Sequence, residues 1–138
     1  MEGSPLEQLL SAIDKLDVEA AMSLLGPRPR LLAADGRRAE GAGPVRELLR
    51  SILAELRSTK HSVTAQWHQD NVWIAEVDAD YELLDWLKLN ALPRVFVARM
   101  GERGIADVRV YGAHEHPLAD HRTGEEGMWV GMRWVPAL

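Results

Sequence analysis

Cysteine is absent from the 138-residue chain, which removes disulfides, thiol nucleophiles and thiolate zinc sites together. Any metal would have to be held by histidine and carboxylate alone. Lysine is scarce, at positions 15, 60 and 88 only, and the net charge is -5. Phosphate backbones demand clustered cations, so nucleic acid is not an expected partner. Arg28, Arg30, Arg37 and Arg38 do cluster, but Glu40 stands beside them and no aromatic residue interleaves, which is the composition of a solvated turn. No apolar run approaches the roughly 20 residues of a membrane span. The start "MEGSPLEQLL" lacks the basic head and apolar stretch of a signal peptide. A cytoplasmic location without membrane partners is the expectation, and neither repeats nor low-complexity linkers interrupt the chain.

What is present is ordinary globular composition, 46% hydrophobic and 27% charged, in a length that suits one domain. Residues 5 to 16, "PLEQLLSAIDKL", set Leu6, Leu9, Leu10, Ile13 and Leu16 at helical spacing behind Ser4 and Pro5. "DVEAAMSLL" repeats the pattern with Asp17 as cap, and Gly26-Pro27 stops it. "RLLAA" reads as a short strand closed at Asp35-Gly36. "PVRELLRSILAELR", residues 44 to 57, carries the strongest apolar stripe: Val45, Leu48, Leu49, Ile52, Leu53 and Leu56. From Lys60 the period changes to two. Strands are expected at 61–69, 72–83, 87–99 and 105–114, with turns at Asp70-Asn71, Asp85-Trp86 and Gly101 to Gly104. Helices followed by a meander of long strands give an α+β domain whose curved antiparallel sheet wraps three N-terminal helices.

A two-residue turn at Asp70-Asn71 sets Trp67 opposite Ile74, Ala65 opposite Glu76, Val63 opposite Asp78 and His61 opposite Asp80. One face then interleaves Val63, Ala65, Trp67, Val72 and Ile74 with Glu76, Asp78 and Asp80. Carboxylates among apolar groups are costly to bury unless paired or hydrated. Two readings follow: this face is the solvated one and the Ser/Thr/Trp/Ala face is core, or it lines a water-containing pocket in which a carboxylate acts as base.

The order "LLSAIDKLDVEAAMSLL", "GAGPVRELL", "VWIAEVDADYELL", "LPRVFVARMGERGIADVRVY" and "HPL", spanning residues 6 to 118, resembles the nuclear transport factor 2-like superfamily. This is the cystatin-like α+β cone of ketosteroid isomerases, SnoaL-like polyketide cyclases, limonene epoxide hydrolases and scytalone dehydratases. The resemblance implies a domain over 1–118 and an extension over 119–138 that adds a strand or covers the pocket or a dimer interface. It also implies an apolar small-molecule ligand, a homodimer, and neither cofactor nor metal. Position by position, the epoxide hydrolase Arg-x-Asp falls on Glu76-Val77-Asp78, its second Asp on Ala113, and its water-holding Tyr and Asn near Leu31 and Ala33. The isomerase Tyr falls near Leu9. Neither of those two reactions is expected by its familiar mechanism.

Arg109-x-Tyr111 resembles a pair inside many relatives, and the following "GAHEHPL" is one residue longer than their pattern. An extra residue beside Gly112 reads as a β-bulge that turns His114 into the cone. The expected site is therefore Asp78 and His114 as acid and base, with Arg109 and Tyr111 polarising an oxygen, and Trp67, Glu76, Asp80, Asn90 and Val63 contacting substrate. His114, His116 and His121 lack the spacing of a metal site. The activity implied is cofactor-independent acid-base chemistry on a polyketide- or terpenoid-like molecule. The alternative is a module of the same fold that binds a ligand, or dimerises, without catalysis.

Overall fold

The computed structural model describes residues 3–112, 127–130 and 133–136. Helix α1 spans Pro5–Asp14. Ser4 and Glu7 close a capping box over its first turn, and Pro5 stands where its missing N–H costs nothing. Leu6, Leu9, Leu10 and Ala12 form its buried face. Helix α2, Val18–Ser23, is capped by the Asp17 carboxylate. Helix α3, Ala42–Leu53, buries Val45, Leu49 and Leu53. It ends three residues before the apolar stripe does. From Leu56 the chain is already extended, because pairing with the next strand outweighs the helical pattern there.

The strands are β1 (Leu25–Leu32), β2 (Arg38–Glu40), β3 (Leu56–Gln69), β4 (Val72–Leu83), β5 (Lys88–Gly101) and β6 (Gly104–Gly112). They form one sheet in the order β2-β1-β6-β5-β4-β3. All neighbours are antiparallel except β1 and β6, which run parallel across the helical crossing. The expected turn at Asp70-Asn71 is present, with Gln69 opposite Val72. β1 is longer than the "RLLAA" reading, starting directly after α2 and carrying Gly26 and Pro27 through an irregular stretch before its regular pairing at Arg30. Gly104 turns β5 into β6 at φ +128, and a Cβ there would stand 2.8 Å from the Leu24 carbonyl. No other residue type fits that corner. Strands β7 (Gly127–Val130) and β8 (Arg133–Pro136) pair as a separate two-stranded ladder.

The helices fill the concave side. Their apolar stripes meet Ala75, Val77, Phe96, Ala98, Ile105 and Val108 of the sheet in one core. Alanines at 75, 79 and 98, all fully buried, leave room over the middle of the sheet. No helix among the described residues is long and apolar enough to cross a membrane.

Candidate functional site

Strand β4 decides which side chains can meet a ligand. Along it Ala75, Val77 and Ala79 are buried while Glu76 and Asp78 are exposed. The charged row is the convex, solvated face of the sheet. The apolar row faces the helices. This is the bland reading of the two, and hydration is the reason it prevails: unpaired carboxylates keep their water. None of the described residues of the site expected from the charged row lines the cavity inside the cone.

Each of those residues has a definite place. Trp67, on the outer face opposite Ile74, is 52% exposed. Asp80 accepts the Ala91 N–H at 2.8 Å and so pins a bulge in β5. Asn90 lies exposed in that bulge, and Leu89 stands opposite Tyr81. Val63 pairs with Val77 rather than Asp78, and is 36% exposed. Arg109 and Tyr111 share the outer face. Arg109 Nε donates to Asp107 at 3.1 Å, and Arg99 and Arg30 reach the same buried carboxylate at 3.2 and 3.6 Å. The Tyr111 side chain and then Asp107 hold the Arg109 guanidinium above even its usual range, so it stays charged. β5 and β6 pair regularly from Val108 to Gly112. His114, with the other histidines of its run, lies outside the described residues.

A bulge does re-aim a histidine, in a different strand. Between Val63 and Ala65 the β3–β4 register slips by one, leaving Thr64 as the extra residue. The pairing expected from the turn holds as far as Ala65 and Glu76. Beyond it His61 stands opposite Ala79 instead of Asp80, and its side chain turns into the cone. There it is 3% exposed. Asp14, the last residue of α1, takes the His61 ring Nδ1 at 2.6 Å and the His61 backbone N–H at 3.0 Å. An acidic residue at a helix C-terminus opposes the helix dipole. The histidine supplies the compensation. With Nδ1 tied to the carboxylate, Nε2 is the ring nitrogen left for other work, and no described residue bonds it.

The His61 ring packs edge-on to Phe96 at 5.5 Å and to Tyr81 at 5.9 Å between centroids. His61, Tyr81 and Phe96 line a cavity of about 120 Å³ whose other walls are chiefly aliphatic, from Leu9, Ile13, Val45, Leu49, Val108 and Val110. Tyr81 also borders a second cavity of about 140 Å³, together with Ala33, Ala34, Ile52 and Leu56, which belong to both. The second cavity is polar at its rim. Asp35 and Arg37 pair there at 2.6 Å. Partial burial pushes the Asp35 carboxyl upward, but hydrogen bonds from the Arg37 side chain and backbone outweigh it and hold the group below its ordinary value. Arg94 belongs to the same cavity, is 8% exposed, and lies with its guanidinium 5.9 Å from the Tyr81 ring.

Sequence reasoning passed over His61, Asp14, Tyr81 and Arg94 as a group. The available signal was the parity of β4: a strand reading Ala-Glu-Val-Asp-Ala-Asp-Tyr has its uncharged row inward, which puts Tyr81 in the cone. Nothing local marks the slip at Thr64.

No protein-family model matches the chain, and no curated protein matches it in sequence. Solved structures do match in shape. One is a Catenulispora acidiphila protein with a ketosteroid isomerase-like fold, in complex with trimethylamine, at TM-score 0.71 and 12% identity over 80% of this chain and 86% of that one. A second is TerC co-crystallised with polyporic acid, at TM-score 0.69 and 13% identity over 86% and 93%. A third is an LEH-like epoxide hydrolase of M. tuberculosis, at TM-score 0.67 and 16% identity over 87% and 85%. Three helices, an unclosed six-stranded sheet and these likenesses together give the chain the nuclear transport factor 2-like fold.

Proposed function

We propose that this protein is a cofactor-independent enzyme that moves a proton on an apolar small molecule held inside the cone, with His61 as the general base or acid and Asp14 as its orienting partner. The carrying observation is that His61, held by Asp14 at 2.6 Å, stands in the wall of a chiefly apolar cavity that Tyr81 and Arg30 also line. A carboxylate on Nδ1 fixes the tautomer and stabilises the imidazolium that forms when Nε2 takes a proton. The aliphatic walls strengthen that interaction by excluding water. Tyr81, beside the ring, supplies a hydroxyl as hydrogen-bond donor to an oxygen on the substrate. The substrate is of polyketide or terpenoid type in the sense that it is chiefly apolar with few oxygens. Fold likeness alone does not choose a reaction, since the neighbours include an isomerase-like and an epoxide hydrolase-like protein.

The test is a turnover screen of small cyclic ketones, enols and epoxides with the wild type, His61→Gln and Asp14→Asn. Turnover should fall about 100-fold or more in His61→Gln, the usual scale of a general base. A substrate turned over equally by the wild type and His61→Gln would end the assignment.

A second reading, a homodimer through the convex face of the sheet, is compatible with the first and has its own support. Arg30, Arg99 and Arg109 gather at the β1–β6 side, Glu76 and Asp78 stand exposed on β4, and Val95, Val97 and Ile74 lie half-buried between them. A two-fold pairing of such faces sets the basic end of one copy against the acidic end of the other. Sedimentation of the wild type and Val97→Glu checks it: the wild type should run as a dimer and the variant as a monomer.

A further inference from the structure

We infer that the molecule acted on is a single-ring compound, and that Ile52 and Leu56 are the residues that set this limit. This rests on the cone cavity being the substrate site, as proposed above, and adds how large the substrate is. The inner cavity measures about 120 Å³. An apolar cavity of about 150 Å³ holds one benzene molecule, so one six-membered ring, or an open chain of the same bulk, is what the space beside His61 takes. A fused second ring would have to lie beyond the wall that parts this cavity from the outer one of about 140 Å³.

Among the described residues, Ala33, Ala34, Ile52, Leu56 and Tyr81 border both cavities. The alanines contribute one methyl group each, so the bulk of the wall is Ile52, Leu56 and the Tyr81 ring. Arg30 borders the inner cavity only, and its guanidinium pairs with Asp107 at 3.6 Å. Ile52 lies in the last turn of α3 and Leu56 opens β3, on either side of the turn where helix becomes strand. That turn is fixed by its backbone. The Glu55 N–H donates to the Ile52 carbonyl at 3.2 Å, the Leu84 N–H donates to the Glu55 carbonyl at 3.3 Å, and Leu56 stands opposite Leu83 in the ladder. A larger ligand must therefore displace side chains from a hydrogen-bonded junction, which is the cost of overpacking. Burial alone acts in the opposite direction, favouring the larger apolar molecule about fourfold for each added methylene. A preference for the smaller ligand thus reports the wall and not hydrophobicity.

The test uses the full chain and a matched pair of ketones, cyclohexanone and trans-1-decalone, which differ by the second ring, with affinities read by ligand-observed NMR. The wild type should bind cyclohexanone at least as tightly as the decalone, although the decalone carries the larger apolar area. Leu56→Ala, and likewise Ile52→Ala, opens the wall and should tighten decalone binding at least about tenfold over the wild type. Neither residue belongs to the buried core, and persisting cyclohexanone binding shows that the variants are folded. His61→Gln should keep the wild-type size preference while losing turnover in the screen described above. Tighter binding of the decalone than of cyclohexanone by the wild type, or no gain in decalone affinity in either wall variant, overturns the size limit and leaves the His61 reading to its own turnover test. Failure of the wild type to bind either ketone overturns both.

Discussion

Asp14 is placed where a helix least tolerates it, and replacing it measures what the His61 pair is worth. Asp14→Ala removes the acceptor of two hydrogen bonds, to the His61 ring and to its backbone N–H, at 2.6 and 3.0 Å. Bonds to an ionised partner contribute about 1.5–3 kcal/mol each, which sets an upper range of about 3–6 kcal/mol. Two effects reduce it. The Asp14 side chain is 26% exposed, so water replaces part of what is lost, and removing an acid from a helix C-terminus regains about 0.5 kcal/mol. A net loss of about 2–4 kcal/mol remains, by the same scale. In a domain of this size that lowers Tm by roughly 6–15 °C. Asp14→Asn, which keeps an oxygen acceptor but not the charge, should lose about half as much. Urea unfolding of wild type, Asp14→Ala, His61→Ala and the double variant gives the pair energy directly, with an expected coupling of at least about 1 kcal/mol. Additive single effects, or Asp14→Ala within about 0.5 kcal/mol of wild type, would refute the claim that this pair fixes the ring.

Asp107→Asn should destabilise the fold by about 2 kcal/mol, less than a fully buried pair because its three arginine partners are 41–55% exposed. The loss should shrink at high salt in urea titrations; an equal loss at low and high salt would mean that repulsion among the arginines is not its cause. Ala91 sits at φ +54 in the β5 bulge, so Ala91→Gly should stabilise by about 0.5–1 kcal/mol, and a lower thermal midpoint would contradict the strain assigned to it. The Glu7 carboxyl is held below its ordinary value by hydrogen bonds from Gln66 and then the Ser4 backbone. Its contribution is therefore present above the unfolded value and lost as pH falls through the folded one, so Glu7→Gln should flatten the acid limb of the stability–pH curve.

The helices and the first hairpin were legible because their signals are local. Ser4, Pro5 and Glu7 announce α1 by their own chemistry, and Asp70-Asn71 fixes the turn and the first pairs beside it. The length of α3 was not, since Leu53 and Leu56 continue a helical stripe and only the presence of β4 draws residues from 56 onward into a strand. The charged row of β4 is legible as carboxylates sharing a face, but which face meets water depends on where the helices pack. Asp80 and Asn90 show the same limit. Their roles, closing and lining a bulge, exist only once β5 pairs with β4.

The slip at Thr64 carries the largest consequence of any single residue in the sheet. Side chains alternate with period two, so one inserted residue exchanges the two faces for everything beyond it. Without it, His61 would stand on the convex face beside Asp78 and Asp80, and the cone would present Lys60 and Ser62 to its aliphatic core. With it, the His61 imidazole reaches the end of α1 from the inner face, where Asp14 waits at hydrogen-bond distance. The Thr64 hydroxyl steadies the irregularity by donating to the Glu76 carbonyl at 3.2 Å. The sheet irregularity, the adverse acid at the helix end and the buried histidine are therefore one feature. Packing alone would be served as well by a regular ladder with a leucine in place of the histidine, and that alternative leaves the bulge, the misplaced acid and the polar wall all without a cause.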